Sequence, residues 1–283
     1  MMTGASLAID ISKDQGGQRT QLEDSVAVEE PLELQLCSPT ATGSAAKSIS
    51  ITMRTPGDDV DLALGFLVSE AIISRAEDFL SADHCGDADP DSSYRNTIRV
   101  ELNPDVDIDL ERLKRHFYTT SSCGVCGKAS IEALRVSGCS VVDSSFCIDR
   151  DQLVRVPDDL LKEQRVFGKT GGLHAAAAFD AQGEIIVARE DVGRHNAVDK
   201  VIGALLRMGR LPAGDLGLMV SGRTSFELMQ KALVAGMPLL ASVSAPSSLA
   251  IQLAREYGVA LVGFLRGNDF NVYANGQRIK REL

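Results

Sequence analysis

Two cysteines three residues apart, Cys123 and Cys126, are the residues of this chain that are best suited to chemistry. They lie in TTSSCGVCGKAS, a small and polar stretch in which Gly124 and Gly127 permit unusual backbone angles and an exposed thiol. Lys128 follows, and a thiol close to a lysine and to a helix N-terminus forms the reactive thiolate more readily. Such a thiolate can attack the outer sulfur of another protein's persulfide and then hold that sulfur as S–SH. The second thiol can release this sulfur or protect it as a disulfide.

The same motif also occurs in zinc sites, redox proteins and zinc-dependent deaminases. One CxxC supplies two zinc ligands where a structural site needs four, and the spacing to Cys139 and Cys147 matches no common zinc module. A thioredoxin-like role requires the motif directly after a strand at a helix start, but the preceding segment has the pattern of a helix and a loop. A zinc deaminase requires His-x-Glu, which neither His174 nor His195 begins. We predict no metal site and keep a dithiol redox role as a third hypothesis.

Three loops in the second half, EDVGRHN, SGRTS and SAPSS, are candidates for binding an anion. Each follows a predicted strand and leads into a helix, whose first N–H groups are free to bind an anion. Guanidinium groups are added by Arg194, Arg223 and Arg266, and a guanidinium can bind two phosphate oxygens at once in a bidentate arrangement. The serines and threonines could instead cap helices, and the arginines could pair with Glu190 or Asp191. Three such loops at one edge of a sheet nevertheless favour a nucleotide or another diphosphate ligand.

The second half of the chain must position these loops, and its pattern predicts alternating strands and helices. The predicted strands are 184–188, 216–220, 238–243 and 259–265. The predicted helices begin at about residue 195, at about Ser225 and at about Ser247. Strands that alternate with helices over short connections are typical of a parallel or mostly parallel sheet covered by helices.

The first half predicts a smaller α+β domain. Residues 1–25 are polar and lack periodicity, which predicts a flexible tail. The elements predicted after it are strands at 31–38, 47–55 and about 96–102, and helices opened by Pro56 and at about Asp107. We therefore predict a tail at 1–25, a small α+β domain at 26–118, and a larger domain at 119–283 that begins with the CxxC loop. The acidic loop 83–91, which contains Cys85, has no predicted role.

Composition and charge exclude several classes of function. The net charge of −10 and the absence of tryptophan argue against a protein that binds nucleic acid. No apolar run is long enough to span a bilayer, and the N-terminus lacks the features of a signal peptide. We therefore predict a cytoplasmic protein that binds neither nucleic acid nor a membrane. In that compartment the six cysteines are expected to be reduced thiols.

Six blocks of sequence, in this order, resemble the formate dehydrogenase accessory sulfurtransferase family (FdhD). They are SSCGVCGK, FGKTGGLHAAAAF, REDVGRHNAVDKVIG, SGRTSFELMQKA, SAPSSLAI and VGFLRGNDFNVY, and they run from Ser121 to Tyr273. A weaker likeness covers 54–70. The resemblance implies a cytidine-deaminase-like domain without the zinc chemistry, preceded by a smaller domain. The predicted fold class is therefore α/β, with a cytidine-deaminase-like, mostly parallel sheet covered by helices and a smaller N-terminal α+β domain.

The resemblance also implies a function, which is to take sulfur from a cysteine desulfurase and deliver it to the molybdenum cofactor. This cofactor, bis(molybdopterin guanine dinucleotide), then enters formate dehydrogenase. The family's persulfide-forming cysteine falls on Cys123, with Cys126 as its partner. The family's cofactor-binding segment falls on Phe264, Leu265, Arg266, Gly267, Asn268 and Asp269. We expect a sulfurtransferase that acts through a cysteine persulfide, with a cofactor-binding chaperone that moves no sulfur as the alternative.

Further contacts with the cofactor are predicted from the loops. Arg194, Arg223 and His195 are predicted to bind its phosphates or its guanine, and Lys169 and His174 are further candidates. The predicted partners are a cysteine desulfurase as sulfur donor and formate dehydrogenase as recipient. A symmetric homodimer would suit the exchange of cofactor between large partners.

Overall fold

The computed structural model of the chain describes residues 4–40, 43–90, 92–106 and 140–280. Within these ranges the chain has a mixed α/β architecture. Cys123, Cys126, the helix predicted from Asp107 and the domain boundary predicted at residue 118 lie outside the described residues. In the part of the chain that the structure describes, no helix is long and apolar enough to cross a membrane.

An antiparallel hairpin opens the chain, formed by strands β1 (Ser6–Gln15) and β2 (Gln18–Ala27). Gly16 and Gly17 form its turn with φ values of 62° and 87°, which suit glycine and which tight hairpin turns require. Apolar residues alternate along one face of the hairpin: Leu7, Ile9, Ile11, Leu22 and Val26. The prediction of a flexible tail at 1–25 is wrong over the hairpin, because cross-strand pairing orders a segment of mostly polar composition.

The N-terminal sheet contains four strands in the order β4-β3-β6-β5. The strands are β3 (Glu30–Thr40), β4 (Gly43–Arg54), β5 (Phe79–His84) and β6 (Thr97–Leu102). Helix α1 (Asp59–Ser69) follows β4, and a 3-10 turn at Ala76–Asp78 precedes β5. Strand β3 is antiparallel to β4 and parallel to β6. Alternate leucines of β3 are buried. The observed β3, β4, β6 and α1 confirm the strands predicted at 31–38, 47–55 and about 96–102 and the helix predicted after Pro56.

Short elements open the described range that begins at residue 140. They are β7 (Ile148–Asp149) and the helices α2 (Arg150–Leu153), α3 (Val156–Glu163) and α4 (Phe167–Thr170). Strand β7 pairs in parallel with the last strand, β14 (Ile279–Lys280), which follows a 3-10 turn at Gly276–Arg278. These elements cover one face of the large sheet.

The large sheet has six strands in the order β13-β12-β11-β10-β8-β9. The strands are β8 (His174–Phe179), β9 (Ile185–Asp191), β10 (Gly217–Val220), β11 (Leu239–Ser242), β12 (Ala260–Arg266) and β13 (Asp269–Ala274). The helices are α5 (Arg194–Arg207), α6 (Phe226–Val234) and α7 (Ser248–Tyr257). Each strand and each helix predicted in the second half is confirmed.

The prediction of a mostly parallel sheet is wrong. Only the β10–β11 and β11–β12 pairings are parallel, whereas β8 pairs antiparallel with both β9 and β10, and β12 with β13. The physical reason is that short turns, around Gly183 and at Gly267-Asn268, join β8 to β9 and β12 to β13. A connection of this length can join only antiparallel neighbours. Strands β9, β10, β11 and β12 still point in one direction, so their carboxyl ends share one edge.

Two apolar layers enclose the large sheet. One layer joins α5, α6 and α7 to α1 and to the leucines of the N-terminal sheet in a single core cluster. The second layer lies on the other face and contains Phe146, Ile148, Leu153 and Leu160. The two predicted domains therefore share a core.

Helices α1 and α5 approach closely at two glycines. A Cβ atom on Gly65 would lie 1.7 Å from the carbonyl oxygen of Asp199, and one on Gly203 would lie 1.9 Å from that of Asp61. Asp61 is 2% exposed and forms ion pairs with Arg189 and Arg207, at 2.7 and 2.8 Å. This contact fixes α5, and with it the loop that precedes α5, against the N-terminal sheet.

Candidate functional site

Four loops meet at the carboxyl edge of the large sheet, which we call the ligand edge: 192–193, 221–225, 243–247 and 267–268. The second and third are joined directly, since the Thr224 amide donates to the Ala245 carbonyl at 3.2 Å and the Ser247 amide donates to the Thr224 carbonyl at 2.9 Å. The Phe264 amide donates to the Ser244 carbonyl at 3.2 Å, which brings the end of β12 to the same place. The convergence of these loops confirms the arrangement predicted from the order of strands and helices.

His195 lies at the ligand edge in the first turn of α5. Its Nε2 is 3.4 Å from Ser225 Oγ and 3.9 Å from the Glu227 carboxylate, so the first turns of α5 and α6 are in contact. Burial, together with the nearby Arg194 and Lys231 cations, lowers the pKa of His195 below its usual value. The imidazole is therefore neutral near pH 7 and adds hydrogen-bonding capacity without adding charge.

His174 is a second imidazole at the ligand edge, at the start of β8. A Cβ atom on Gly222 would lie 3.4 Å from His174 Nδ1, so the glycine lets the loop after β10 pass against the ring. Burial and the Arg194 cation lower the pKa of His174. Arg194 is thus the cation that acts on both histidines.

Two buried polar atoms at the ligand edge have no hydrogen-bond partner among the described residues. They are Arg194 Nε and Thr224 Oγ1, and Thr224 is only 1% exposed. Most buried polar groups in folded proteins are paired with protein or with water. A pair of unsatisfied donors in adjoining loops is a feature that a bound ligand with acceptor atoms would explain.

An exposed aromatic residue and an arginine lie at the end of β12. Phe264 is 40% exposed and has a φ of 54°, in the left-handed region that a bulky side chain rarely adopts. The Arg266 guanidinium lies 5.7 Å from the centre of the Phe264 ring, and its Nε donates to the Val243 carbonyl at 2.7 Å. Such a flat, cationic surface can stack on a planar heterocycle.

Comparison with known protein families identifies the family of this chain. The model of the FdhD/NarQ family matches residues 27–280. This chain belongs to the FdhD/NarQ family. The match covers most of the chain and confirms the resemblance seen in the six sequence blocks.

Curated relatives from bacteria and archaea carry the name sulfur carrier protein FdhD. The relative from Streptomyces avermitilis is 50% identical over 259 residues, which cover 90% of this chain and 89% of the relative. That from Mycobacterium tuberculosis is 48% identical over 265 residues, covering 90% and 92%. That from Saccharolobus solfataricus is 41% identical over 256 residues, covering 90% and 91%.

One similar solved structure is described as a formate dehydrogenase accessory protein from Desulfotalea psychrophila. It has a TM-score of 0.75 and 24% sequence identity, and the alignment covers 98% of this chain and 100% of that one. At this identity the likeness shows a shared α/β fold. A cytidine-deaminase-like arrangement within that fold stays a prediction.

The FdhD/NarQ chain carries a buried charged group beneath the ligand edge that fixes the turn before α5. Lys200 Nζ lies 2.7 Å from Asp191 Oδ2, and both residues are at most 1% exposed. Asp191 Oδ1 accepts hydrogen bonds from the Gly193 amide at 2.8 Å and from Asn196 Nδ2 at 3.0 Å. Because Asp191 pairs with Lys200, it does not serve as the partner of Arg194.

Glu190 and the serines before α6 and α7 have separate structural roles. Glu190 accepts from the amides of Val166 and Phe167, at 2.9 and 2.8 Å, so it too is engaged away from Arg194. Ser247 caps α7, because its Oγ accepts from the Ala250 amide at 3.2 Å. Ser225 occupies the equivalent position of α6 but makes no capping bond. Helix capping therefore accounts for the serine before α7 and not for the serine before α6.

The predicted site residues are distributed along the ligand edge as follows. Arg194 and His195 lie at the start of α5, and Arg223 is exposed in the loop before α6. At the end of β12, Phe264, Arg266, Gly267, Asn268 and Asp269 are exposed. Leu265 is completely buried in the core, so only its backbone is available to a ligand. Cys123 and Cys126 lie outside the described residues, and their roles stay predictions.

Three features of the site could not be singled out from the sequence: the buried Thr224, the position of Glu227 and the pairing of Lys200 with Asp191. Their residue types occur in many helical and loop contexts, and only the positions of their side chains distinguish them. The described residues contain no group of three or more His, Cys, Asp or Glu side chains placed to hold a metal ion.

We expect His195 to reduce the stability of the folded protein as the pH falls below about 6.5. Burial lowers the pKa of His195 in the folded state, so the unfolded chain binds a proton more readily than the folded one. The stability is therefore fully present above the pKa that His195 has in the unfolded chain, and it falls as the pH drops towards the lower pKa of the folded state. The melting temperature of His195→Gln should decline less than that of the wild type between about pH 7.5 and 5.5. An equal decline in both proteins would contradict this assignment.

Proposed function

We propose that this chain is a sulfur carrier that accepts persulfide sulfur on Cys123 from a cysteine desulfurase and transfers it to the molybdenum cofactor. The observation that carries the proposal is the FdhD/NarQ match over residues 27–280, which includes the CxxC motif. Relatives that are 41–50% identical over about nine-tenths of the chain bear the name sulfur carrier protein. The cofactor, bis(molybdopterin guanine dinucleotide), is the substrate that receives the sulfur.

The first chemical step is an exchange between sulfur atoms. The Cys123 thiolate attacks the outer sulfur of the donor's persulfide, the donor's S–S bond breaks, and the donor's cysteine leaves as a thiolate. Cys123 then carries the transferred sulfur as its own persulfide. Cys126 can afterwards attack the Cys123 sulfur, which expels hydrosulfide and leaves a Cys123–Cys126 disulfide. A cellular thiol must reduce this disulfide before the next cycle.

The ligand edge supplies the second half of the proposal, which is binding of the cofactor. Phe264 and Arg266 present a ring and a guanidinium for a guanine base. Arg194, Arg223 and the first turns of α5 and α6 present cations and N–H groups for phosphate oxygens. We propose that the sulfur is delivered to a cofactor held in this way, which formate dehydrogenase then receives.

A cofactor-binding chaperone is the second candidate. The observation that favours it is the ligand edge itself, because its arginines and helix N-termini could bind the cofactor even if Cys123 carried no sulfur. The two functions differ in whether Cys123 is required, and this difference can be measured. The dithiol redox role requires a reversible Cys123–Cys126 disulfide that turns over disulfide substrates.

Mass spectrometry tests the first step directly. After incubation of the full-length protein with a cysteine desulfurase and cysteine, the peptide that contains Cys123 should gain the mass of one sulfur atom. Cys123→Ala should lose this adduct. Cys147→Ala, which removes a half-buried thiol elsewhere, should keep it. A wild-type protein without the adduct, in the presence of an active desulfurase, would contradict the proposal.

A further inference from the structure

A cavity of about 330 Å³ lies against β9, which is the outermost strand of the large sheet, and we call it the β9 cavity. Its lining comes from residues 188–190 of β9, from the turn between β4 and α1, from the end of α3 with the residues after it, and from the start of β8. None of the four loops of the ligand edge contributes a lining residue. The volume is in the range of small-molecule sites, so the β9 cavity is a separate candidate for a ligand.

Part of the lining is apolar. Leu160, Leu173 and Ala175 line the β9 cavity and are at most 5% exposed. Leu173 is buried and yet belongs to neither of the two core clusters, so its side chain is not used in packing the sheet. Apolar side chains of this kind pack well against the flat face of a ring.

The buried cations of the lining are already paired, which favours a neutral ligand. Lys200 Nζ lies 2.7 Å from Asp191 Oδ2. It also donates to the carbonyls of Thr55 and Glu190, at 2.9 and 3.2 Å, so its three protons are all used. The Arg189 guanidinium lies 2.7 Å from a carboxylate of α1. The other charged side chains of the lining are exposed and together carry a net negative charge: Asp58, Glu163 and Arg165. An anion would therefore find no unpaired buried cation in this lining.

Two polar groups of the lining can still bond to a ligand. Gln164 is 7% exposed, and its side-chain amide bonds to no described residue, although an amide can both donate and accept. The two oxygens of Glu190 accept from backbone amides at the start of α4, at 2.9 and 2.8 Å, and each keeps a further lone pair. The first of these amides lies only two residues after Gln164, so the two side chains belong to the same part of the lining.

This combination matches one edge of a 2-amino-4-oxopyrimidine ring, which occurs in both pterin and guanine. The ring has N–H and NH₂ donors side by side, which suit a carboxylate such as Glu190. Its carbonyl oxygen accepts a hydrogen bond, which suits the NH₂ group of Gln164. The ring is also flat and neutral near pH 7, as the apolar and charge-paired lining requires.

We infer that the β9 cavity binds the pterin of the molybdenum cofactor, with Glu190 and Gln164 bonded to the edge of the ring. This inference rests on the proposed function for its ligand, in which the guanine occupies the surface of Phe264 and Arg266. Pterin and guanine are the two ends of a molybdopterin guanine dinucleotide, and its diphosphate lies between them. The inference therefore assigns the end of the ligand that the ligand edge leaves unassigned.

The distance across the sheet fits this assignment. Strands β12 and β9 are four strand spacings apart in the order β12-β11-β10-β8-β9, which is about 19 Å. Residues 188–190 of β9 directly precede its carboxyl end, so the β9 cavity borders the ligand edge. An extended dinucleotide with its guanine at Phe264 therefore brings its pterin to the outer side of β9.

Pterins are fluorescent, so the binding can be measured by titrating 6-hydroxymethylpterin with the full chain and following the fluorescence anisotropy. Gln164→Leu nearly keeps the size of the side chain and removes its amide, so it should bind the pterin about ten-fold more weakly than the wild type. Glu190→Gln replaces an acceptor oxygen by a donor and removes the charge, so its loss should be larger. Gln182→Leu is the matched control, because it makes the same change on an exposed residue between β8 and β9, and it should bind like the wild type.

Guanosine diphosphate distinguishes the β9 cavity from the ligand edge. An excess of it should not displace the pterin, and Gln164→Leu should bind it like the wild type, which a variant with a folding defect would not do. A wild type that does not bind the pterin would overturn the inference, as would displacement by guanosine diphosphate or normal pterin binding by both Gln164→Leu and Glu190→Gln. Sulfur loading of Cys123 needs no pterin and tests the proposed function separately. A protein that loads sulfur but does not bind pterin would refute the assignment of the cavity alone.

Discussion

In cells that lack their own accessory protein, the wild-type chain should restore formate dehydrogenase activity and Cys123→Ala should restore none. The reason is that the proposed carrier holds the transferred sulfur on a single atom, Sγ of Cys123, and alanine has no atom that can form a persulfide. Removal of a covalent nucleophile leaves no route for the transfer, so we expect a complete loss rather than a partial one. The measurement is formate-dependent dye reduction in extracts that contain equal amounts of each protein.

Cys85→Ala supplies the control for this experiment. Cys85 is a free, half-buried thiol in the acidic loop and has no proposed role, so its loss should leave activity unchanged. Restoration of activity by Cys123→Ala would reject sulfur transfer and favour the cofactor-binding chaperone.

Cys126→Ala separates the roles of the two thiols, because Cys123 should still acquire sulfur in this variant. If Cys126 releases that sulfur, the variant should accumulate the persulfide and restore little activity.

Much of the second half of the fold could be predicted because its sequence is strongly patterned. Buried strands of the large sheet read as short apolar runs, and the helices between them have one apolar stripe. A helix connects β9 to β10, β10 to β11 and β11 to β12, so these four strands point in the same direction. The loops after them were therefore predicted correctly to lie at one edge of the sheet. The positions of Arg194 and His195 at this edge could be predicted because the loop that follows β9 leaves the sheet there.

Other parts of the fold depended on effects that composition hides. Strand β8 has the sequence HAAAAF, and alanine favours helices, so its place between β9 and β10 in the sheet comes from tertiary packing. The hairpin of β1 and β2 is polar overall, yet the alternation of Leu7, Ile9 and Ile11 before Gly16-Gly17 was a usable signal. Short turns after β8 and β12 turned a sheet predicted as mostly parallel into a mixed one.

The site itself could be predicted only down to its residue types. The arginines at the ligand edge were visible in the sequence, but which of them lacked a partner was not. Whether Asp191 pairs with Arg194 or Lys200 depends on distances of a few ångströms between α5 and β9. The unsatisfied hydroxyl of Thr224 is likewise a property of the packed structure, since threonine before a helix usually acts as a cap.

Gly65→Ala should destabilise the protein strongly, although alanine favours helices. In an isolated helix the change would stabilise by about 1 kcal/mol. Here the added Cβ would lie 1.7 Å from the carbonyl oxygen of Asp199 and 2.8 Å from the amide nitrogen of Gly203, and both are backbone atoms that cannot rotate away. Helices α1 and α5 would have to separate, which opens the core that they share with both sheets. We expect a net loss of about 3 kcal/mol in the free energy of unfolding, measured by urea denaturation.

Gly214→Ala is the matched control, because a Cβ atom at Gly214 would meet no atom within 4 Å, so its stability should change by less than about 0.5 kcal/mol. A more stable Gly65→Ala would mean that α1 and α5 do not pack as closely as described.

The contact also reaches the ligand edge, since α5 begins at Arg194 and carries Asp199 and Gly203 on the face that meets α1. Gly65→Ala should therefore weaken pyrophosphate binding even in conditions where the protein stays folded. A variant that is destabilised but binds pyrophosphate normally would show that the first turn of α5 is held by the Lys200–Asp191 pair alone.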